Sequence, residues 1–343
     1  MSISAIKTTR IFAIGHCILD LEYRVPAALV DDLGFRIGSR HLLDEGQYHL
    51  LSAALEAPGA AASLTQRSGG GSAANSIITA TRLGAQCHLA TQLGADPAGQ
   101  HIRQELADEG IETISTPQWV EHSGQCLVLT TSDAERTLLL YPGQMHELSA
   151  ELIDWNALAR SQVLFLEAYL VNDRQAQQTV MECLALAHQR SIPVCISLSD
   201  ADLVQQWQQS LASWFAPPAD LLLANAAEAA AWTGINDPQQ AALELTQLAR
   251  HVVVSQGPRG ALLATANATV QPFAAPPTEA RSTLGAGDTL AGALLYGRYC
   301  AQWSVADALK FAIVCASHKT RSYGPRLSRD ALQQLLQHKQ AQA

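Results

Sequence analysis

The chain has 343 residues, 48% of them hydrophobic and 15% charged, with a formal net charge of −9. That length supports one large α/β domain with a substantial core, or two smaller ones, and the composition excludes a disordered chain. The acidic balance speaks against a general nucleic-acid binder but not against phosphate ligands, because backbone N–H groups hold anions without Lys or Arg.

Lys7 and Arg10 precede the apolar run Ile11 to Leu19, a faint imitation of a secretion signal. Gly15 and His16 interrupt the run and Asp20 closes it, so a buried first strand over Ile11 to Ile14 is expected instead. No stretch reaches membrane-helix length, and the expected location is cytoplasmic. Asp20 to Leu43 is not helical in pattern, and Ala60 to Arg67 makes a poor strand. A helix is predicted over Ala73 to Leu83, stopped by Gly84, then a strand over Cys87 to Gln92. The next helix is well punctuated, with Asp96 as N-cap, Pro97 at the first position, Ile102 and Leu106 on one face and Gly110 as the stop. Gln125 to Thr131 and Arg136 to Tyr141 read as a hairpin around Ser132-Asp133-Ala134-Glu135.

From there strands over Val163–Leu166, Val194–Leu198, Leu221–Ala224 and Val252–Ser255 alternate with helices over Ser149–Ala159, Asp173–Gln189 and Pro238–Ala249. Runs such as Val-Leu-Phe-Leu and Leu-Leu-Leu-Ala suit a parallel sheet covered on both faces. The expectation is one α/β domain over 1–343, a three-layer sandwich with a mostly parallel central sheet. Segments 20–43 and 111–143 would form a small β lid. The seven cysteines form no C-x-x-C pair and read as reduced core residues, and the eleven histidines show no metal-ligand spacing.

The most informative segment is Arg281-Ser-Thr-Leu-Gly-Ala-Gly-Asp288-Thr-Leu-Ala-Gly-Ala-Leu-Leu-Tyr296. Gly285, Ala286 and Gly287 leave the backbone unobstructed at a helix start, where outward N–H groups hold a phosphoryl group. Asp288 beside them is placed to accept a proton from an attacking hydroxyl. The plainer alternative is a turn and a helix cap. Gly70-Gly71-Ser72-Ala73-Ala74-Asn75 opens an earlier helix; its glycines allow close approach of a ligand, and Asn75 offers both a donor and an acceptor. Gly69-x-Gly71-x-x-Ala74 also satisfies a loose dinucleotide fingerprint, but the strand that fingerprint expects before it is poor, and no Walker-type loop is present. Asn225 and Glu228 lie one turn apart, a spacing that fits a capping box as well as a metal site. Val252-Val-Val-Ser255-Gln-Gly257-Pro-Arg-Gly260 is a strand and a glycine turn, by itself a simple hairpin.

Ser282-Thr283-Leu284-Gly285-Ala286-Gly287-Asp288 together with Gly70-Gly71-Ser72-Ala73-Ala74-Asn75 resembles the paired motifs of the ribokinase and adenosine kinase family of carbohydrate and nucleoside kinases. The resemblance covers nearly the whole chain. It implies a ribokinase-like fold, Asp288 as catalytic base, and Gly285, Ala286 and Gly287 as the anion hole. It puts Asp20, Gly70, Gly71 and Asn75 around a sugar. Glu167 becomes either an acid near the substrate or a solvated strand end. Asn225 and Glu228 would organise Mg²⁺ and its waters. Ser255, Gly257 and Gly260 would contact ATP. Arg136, on the lid hairpin, either reaches the phosphoryl group or substrate on closure or is a surface arginine. Ser282 departs from the family's acid, a ligand of a monovalent cation, so weak or absent K⁺ dependence is expected.

The layout, including Ile18-Leu-Asp20-Leu-Glu, looks closer to adenosine kinases than to ribokinases. A nucleoside acceptor is therefore expected, with ribose or fructose as the alternative. A non-catalytic ligand-binding protein and a nicotinamide-dependent enzyme are the readings of other classes. Neither nucleic acid nor membrane is expected as a partner, and monomer and homodimer stay open.

Overall fold

The computed structural model describes residues 10–114, 120–133, 135–145, 148–267 and 269–341. Lys7, Ala134 of the hairpin turn and positions 115–119 of the lid stretch lie outside the described residues. The first half of the chain runs β1 (Arg10–Ile14), β2 (Ile18–Arg24), α1 (Ala27–Asp32), β3 (Arg40–Leu42), α2 (Glu45–Glu56), β4 (Ser63–Gly70), α3 (Ser72–Leu83), β5 (Gln86–Ala90), α4 (Pro97–Asp108), β6 (Gly124–Thr130) and β7 (Arg136–Tyr141). The second half runs α5 (Trp155–Ala159), β8 (Val163–Glu167), α6 (Arg174–Gln189), β9 (Val194–Ser197), α7 (Ala201–Ala212), β10 (Ala219–Asn225), α8 (Ala226–Thr233), α9 (Pro238–Glu244), β11 (Ala249–Ser255), β12 (Ala261–Thr265), β13 (Thr269–Phe273), α10 (Ala286–Leu295), α11 (Val305–Lys319) and α12 (Arg329–Ala341).

Eight strands form the main sheet in the order β13-β12-β11-β10-β9-β8-β1-β5, parallel throughout except where β12 pairs antiparallel with β11 and β13. Helices cover both faces, as the buried runs require. Along β1, Ile11 and Ala13 join the core that includes Ile77, Leu294 and Phe311, while Phe12 and Ile14 join the opposite core with Val180 and Val204. Successive side chains of a strand point to opposite faces, so a strand apolar at every position needs both faces covered. No helix among the described residues is long and apolar enough to cross a membrane.

The segments expected as a lid contribute strands to a second sheet, in the order β3-β7-β6-β2-β4, which also takes in β4 from outside them; the name lid is kept for this sheet. Several local expectations are corrected. The stretch Asp20 to Leu43, expected to hold no helix, contains one, α1, between β2 and β3. The expected helix over Ser149–Ala159 is broken into a 3₁₀ turn at Ala150–Leu152 and α5, because Asp154 starts a new helix by accepting the Ala157 N–H at 2.8 Å. The helix predicted to reach Ala249 stops at Glu244; Ala249 is already strand, paired with Ala219. The stretch before Gly70 is a true strand: β4 pairs antiparallel with β2, and its exposed Ser63 to Arg67 form an edge with no apolar face. The dinucleotide reading fails on topology instead, since β4 belongs to the lid and not to a parallel βαβ unit.

Candidate active site

The carboxyl ends of the parallel strands carry the site, as expected for a sheet wound in both directions. Helices α3 and α10 start there side by side. Gly292 allows this, because a Cβ at that position would lie 2.0 Å from the Ser76 carbonyl oxygen. Gly292 and Ser76 each sit one turn beyond Asp288 and Ser72, so this contact fixes the register of the two helix starts. The result joins elements 213 and 216 residues apart in sequence: Asn75 Nδ2 donates to Asp288 Oδ2 at 3.0 Å, and Ser72 Oγ donates to Oδ1 at 2.7 Å. Asp288 is half-buried. Burial pushes its carboxyl up, opposed by the Ser72 and Asn75 donors and the Arg326 charge.

Gly285, with φ of 72°, precedes α10, and a Cβ there would lie 1.9 Å from the Pro325 carbonyl oxygen. Of the amides expected to form the anion hole, that of Ala286 is spent on the Thr283 carbonyl at 3.1 Å. Those of Gly285, Gly287 and Asp288 have no acceptor among the described residues, and Gly287 faces open space.

Sequence reasoning missed Arg326. Its buried guanidinium donates from Nε to Asn75 Oδ1 at 2.7 Å and also bonds Glu105 and the Gly69 carbonyl. Glu105 in turn accepts the Gly69 N–H at 2.6 Å. Asp20 stands beside this hub. A Cβ on Gly70 would lie 2.5 Å from its Oδ2, so a side chain at 70 would displace the carboxylate. Burial pushes the Asp20 carboxyl up to about 7, with Arg326 opposing. Gly71, at φ of 106°, passes so close to the loop after β1 that a Cβ would meet the His16 carbonyl at 2.1 Å. Asp20, Gly70, Gly71, Asn75 and Asp288 are therefore brought together.

Of the two readings of Glu167, the solvated strand end is corrected: the side chain is fully buried, with Oε1 accepting the His16 N–H at 2.6 Å and Oε2 the Ala73 N–H at 2.7 Å. It ties the loop after β1 to the start of α3, and burial pushes its carboxyl up to about 7. In Glu167→Gln an NH₂ group would face one of these two N–H donors. The expected result is a loss of about 1–3 kcal/mol of stability, read from denaturant melts, with the KM for the acceptor little changed.

Between the second sheet and the loop before α10 lies a cavity of about 910 Å³, whose walls include Glu22 and Arg136 from that sheet and the segment Arg281 to Leu284. Arg136 thus faces the cavity, held 3.9 Å from Glu22, and is not a plain surface residue. Asp288 does not itself line this space; the lining ends at Leu284, immediately before the helix start.

Further along the same carboxyl edge of the sheet Asn225 and Ser255 are register partners on β10 and β11. The capping box is realised in full: Asn225 Oδ1 accepts the Glu228 N–H at 2.9 Å, while Glu228 accepts Asn225 N at 2.8 Å and Nδ2 at 2.6 Å. Burial pushes the Glu228 carboxyl up to about 7. No group of three or more His, Cys, Asp or Glu among the described residues forms a metal cage. Glu228 alone fits a magnesium that arrives with phosphate and water ligands of its own. Gly257 is open, whereas Gly260 is explained by the β11–β12 hairpin, a Cβ there lying 1.9 Å from the Phe273 carbonyl. The Ser282 hydroxyl accepts the Leu284 N–H at 3.3 Å, and its carbonyl faces Lys319.

Residues 48–332 match the pfkB family of carbohydrate kinases. Guanosine-inosine kinase of Escherichia coli (strain K12) is 30% identical over 148 residues, 41% of this chain and only 33% of that protein's length. Aminoimidazole riboside kinase of Salmonella typhimurium is 28% identical over 269 residues, covering 74% of this chain and 82% of that one. The crystal structure of adenosine kinase from Sinorhizobium meliloti superposes with a TM-score of 0.85 at 22% identity, covering 96% of this chain and 99% of that one, a likeness of fold. The chain belongs to the pfkB family of carbohydrate kinases.

Proposed function

We propose that this kinase transfers the γ-phosphoryl group of ATP to the 5′-type hydroxyl of a nucleoside, with Asp288 taking the proton. One observation carries the reading: the Asp288 carboxylate is clamped by Ser72 and Asn75 beside the open amides of Gly287 and its own residue. Guanosine-inosine kinase and aminoimidazole riboside kinase, by their names, act on nucleoside-type acceptors, which supports the nucleoside over a free sugar.

Asp20, Gly70 and Gly71 would receive the sugar. Asn75 keeps one Nδ2 hydrogen and a lone pair on Oδ1 for its hydroxyls after bonding Asp288 and Arg326. The acceptor oxygen bonds to the γ-phosphorus, the bond to the ADP oxygen breaks, and the hydroxyl proton passes to Asp288. Charge spread over the phosphoryl oxygens falls to the amides of Gly285, Gly287 and Asp288, with Arg136 adding a guanidinium from the lid. Magnesium bound with ATP would neutralise phosphate charge, with Glu228 as the acid on the protein side and Asn225, Ser255 and Gly257 along the nucleotide's path. Lid closure would exclude water and suppress hydrolysis of ATP.

A panel of adenosine, inosine, guanosine, cytidine, ribose and fructose, each with ATP, tests the acceptor. The highest kcat/KM is expected for a nucleoside. A preference for ribose or fructose would move the assignment to a sugar kinase. Acceptor binding by calorimetry without ADP release would instead mark a non-catalytic binding protein.

A further inference from the structure

Lys319, the last residue of α11, is fully buried. Its Nζ lies 3.2 Å from the Ser322 carbonyl oxygen and 3.5 Å from that of Ser282, and it makes no ion pair with a carboxylate among the described residues. A buried charge is costly unless something compensates it, and two carbonyl dipoles do so only in part. The ammonium stays largely protonated at neutral pH, although burial, with Arg136 adding a like charge, pushes it down to about 8.

The location gives that cost a purpose. Residues 281–282 and the turn after α11 are laced together, the N–H groups of Arg281 and Ser282 both donating to the Thr320 carbonyl at 2.7 and 3.1 Å. The same turn carries Pro325, packed against Gly285, and Arg326, bonded to Asn75. Lys319 therefore closes the joint between the loop leading into the anion hole and the turn that positions the Asn75–Asp288 pair. Carbonyl oxygens at such a joint are what a potassium ion would take, but here an ammonium, a monovalent cation with the same liking for carbonyls, already lies against both. The residues do not fit an added cation.

We propose that Lys319 is a built-in monovalent cation, a positioning residue that holds the anion-hole loop to the 319–326 turn and makes the kinase independent of potassium. The inference rests on the kinase reading above. The expectation of weak potassium dependence came from Ser282 alone; Lys319 supplies a separate physical ground for it.

The experiment compares wild type, Lys319→Met and Lys319→Ala in tetramethylammonium buffer, with and without added potassium, ammonium or methylammonium. Wild type should turn over at the same rate with and without potassium. Lys319→Ala, with space opened at the joint, should lose ~10²-fold in kcat, the scale of removing one electrostatic element at the transition state. Potassium or a small ammonium ion should restore ~tenfold or more of that loss, about 1.4 kcal/mol of barrier. Lys319→Met, which fills the space with an uncharged chain, should fold, lose activity and resist rescue. Wild type that is active but clearly stimulated by potassium overturns the inference alone. So does a Lys319→Ala variant at wild-type rate, or one inactivated beyond rescue by every cation, which would mark a packing role only. Should neither variant fold, the wild-type potassium comparison decides. A wild type that phosphorylates no acceptor in any salt defeats the kinase reading, and this inference with it.

Discussion

Asp288→Asn is expected to lose ~10²- to 10⁴-fold in kcat, about 3–5 kcal/mol of barrier, while binding acceptor and ATP and folding normally. The hydrogen bonds around the carboxylate make this a clean substitution. Asn75 cannot turn its amide over, because Arg326 Nε requires its Oδ1. An asparagine at 288 must therefore offer its oxygen to Asn75 Nδ2 and its NH₂ to Ser72. A serine hydroxyl rotates and accepts as readily as it donates, so the network remains satisfied. What disappears is the site for the proton. Asp288→Ala differs: it leaves the Asn75 and Ser72 donors without their acceptor, and about 1–3 kcal/mol of stability should go with the activity. Steady-state kinetics, calorimetry of acceptor binding and thermal melts on both variants separate the two effects. Near-normal turnover in Asp288→Asn would remove Asp288 from the role of base.

What could be read from the sequence was what local chemistry dictates. The Asp96-Pro97 start and Gly110 stop of α4 reappear, with Asp96 Oδ1 accepting the Gly99 N–H at 2.9 Å and Gly110 at φ of 78°. The apolar β1, β8, β10 and β11 stood out because a parallel strand buried on both faces has no polar positions to disguise it. β4 was missed for the converse reason: Ser-Leu-Thr-Gln-Arg is an exposed edge, held by backbone pairing to β2 and not by an apolar face. The glycine–Asp motif was visible, but its partner Ser72 was not, since nothing near Ser72 in the chain announces a carboxylate 216 residues away. The solvated reading of Glu167 fails because a charged residue ending a strand normally meets water, whereas here two backbone N–H groups take that place. Lys319 in the last turn of α11 reads as an ordinary lysine near a helix C-terminus, and nothing around it in the chain announces its burial or the Ser282 carbonyl that faces it.

Arg326→Met should be the most damaging change outside Asp288, because one side chain serves three acceptors on three elements. Removing it strips Asn75 Oδ1, the Gly69 carbonyl and Glu105 of their donor together. Breaking a buried ion pair typically costs about 3–5 kcal/mol; the lower end is expected here because the Glu105 side chain keeps 28% of its surface exposed and can rehydrate. The loss should show as a reduced denaturant midpoint. Activity should fall for a second reason: without the guanidinium, Asn75 is free to turn over and no longer presents Nδ2 to Asp288. The electrostatic sign is also fixed. Arg326 opposes the upward shift of both Asp20 and Asp288, so its removal raises both carboxyls further. A base must be ionised to accept a proton, so the acid limb of the kcat/KM profile should move to higher pH. Arg326→Lys keeps the charge but not the planar fork. It should return the acid limb towards its wild-type position while recovering only part of the stability. An Arg326→Met enzyme with unchanged midpoint and unchanged acid limb would show that the hub carries neither load.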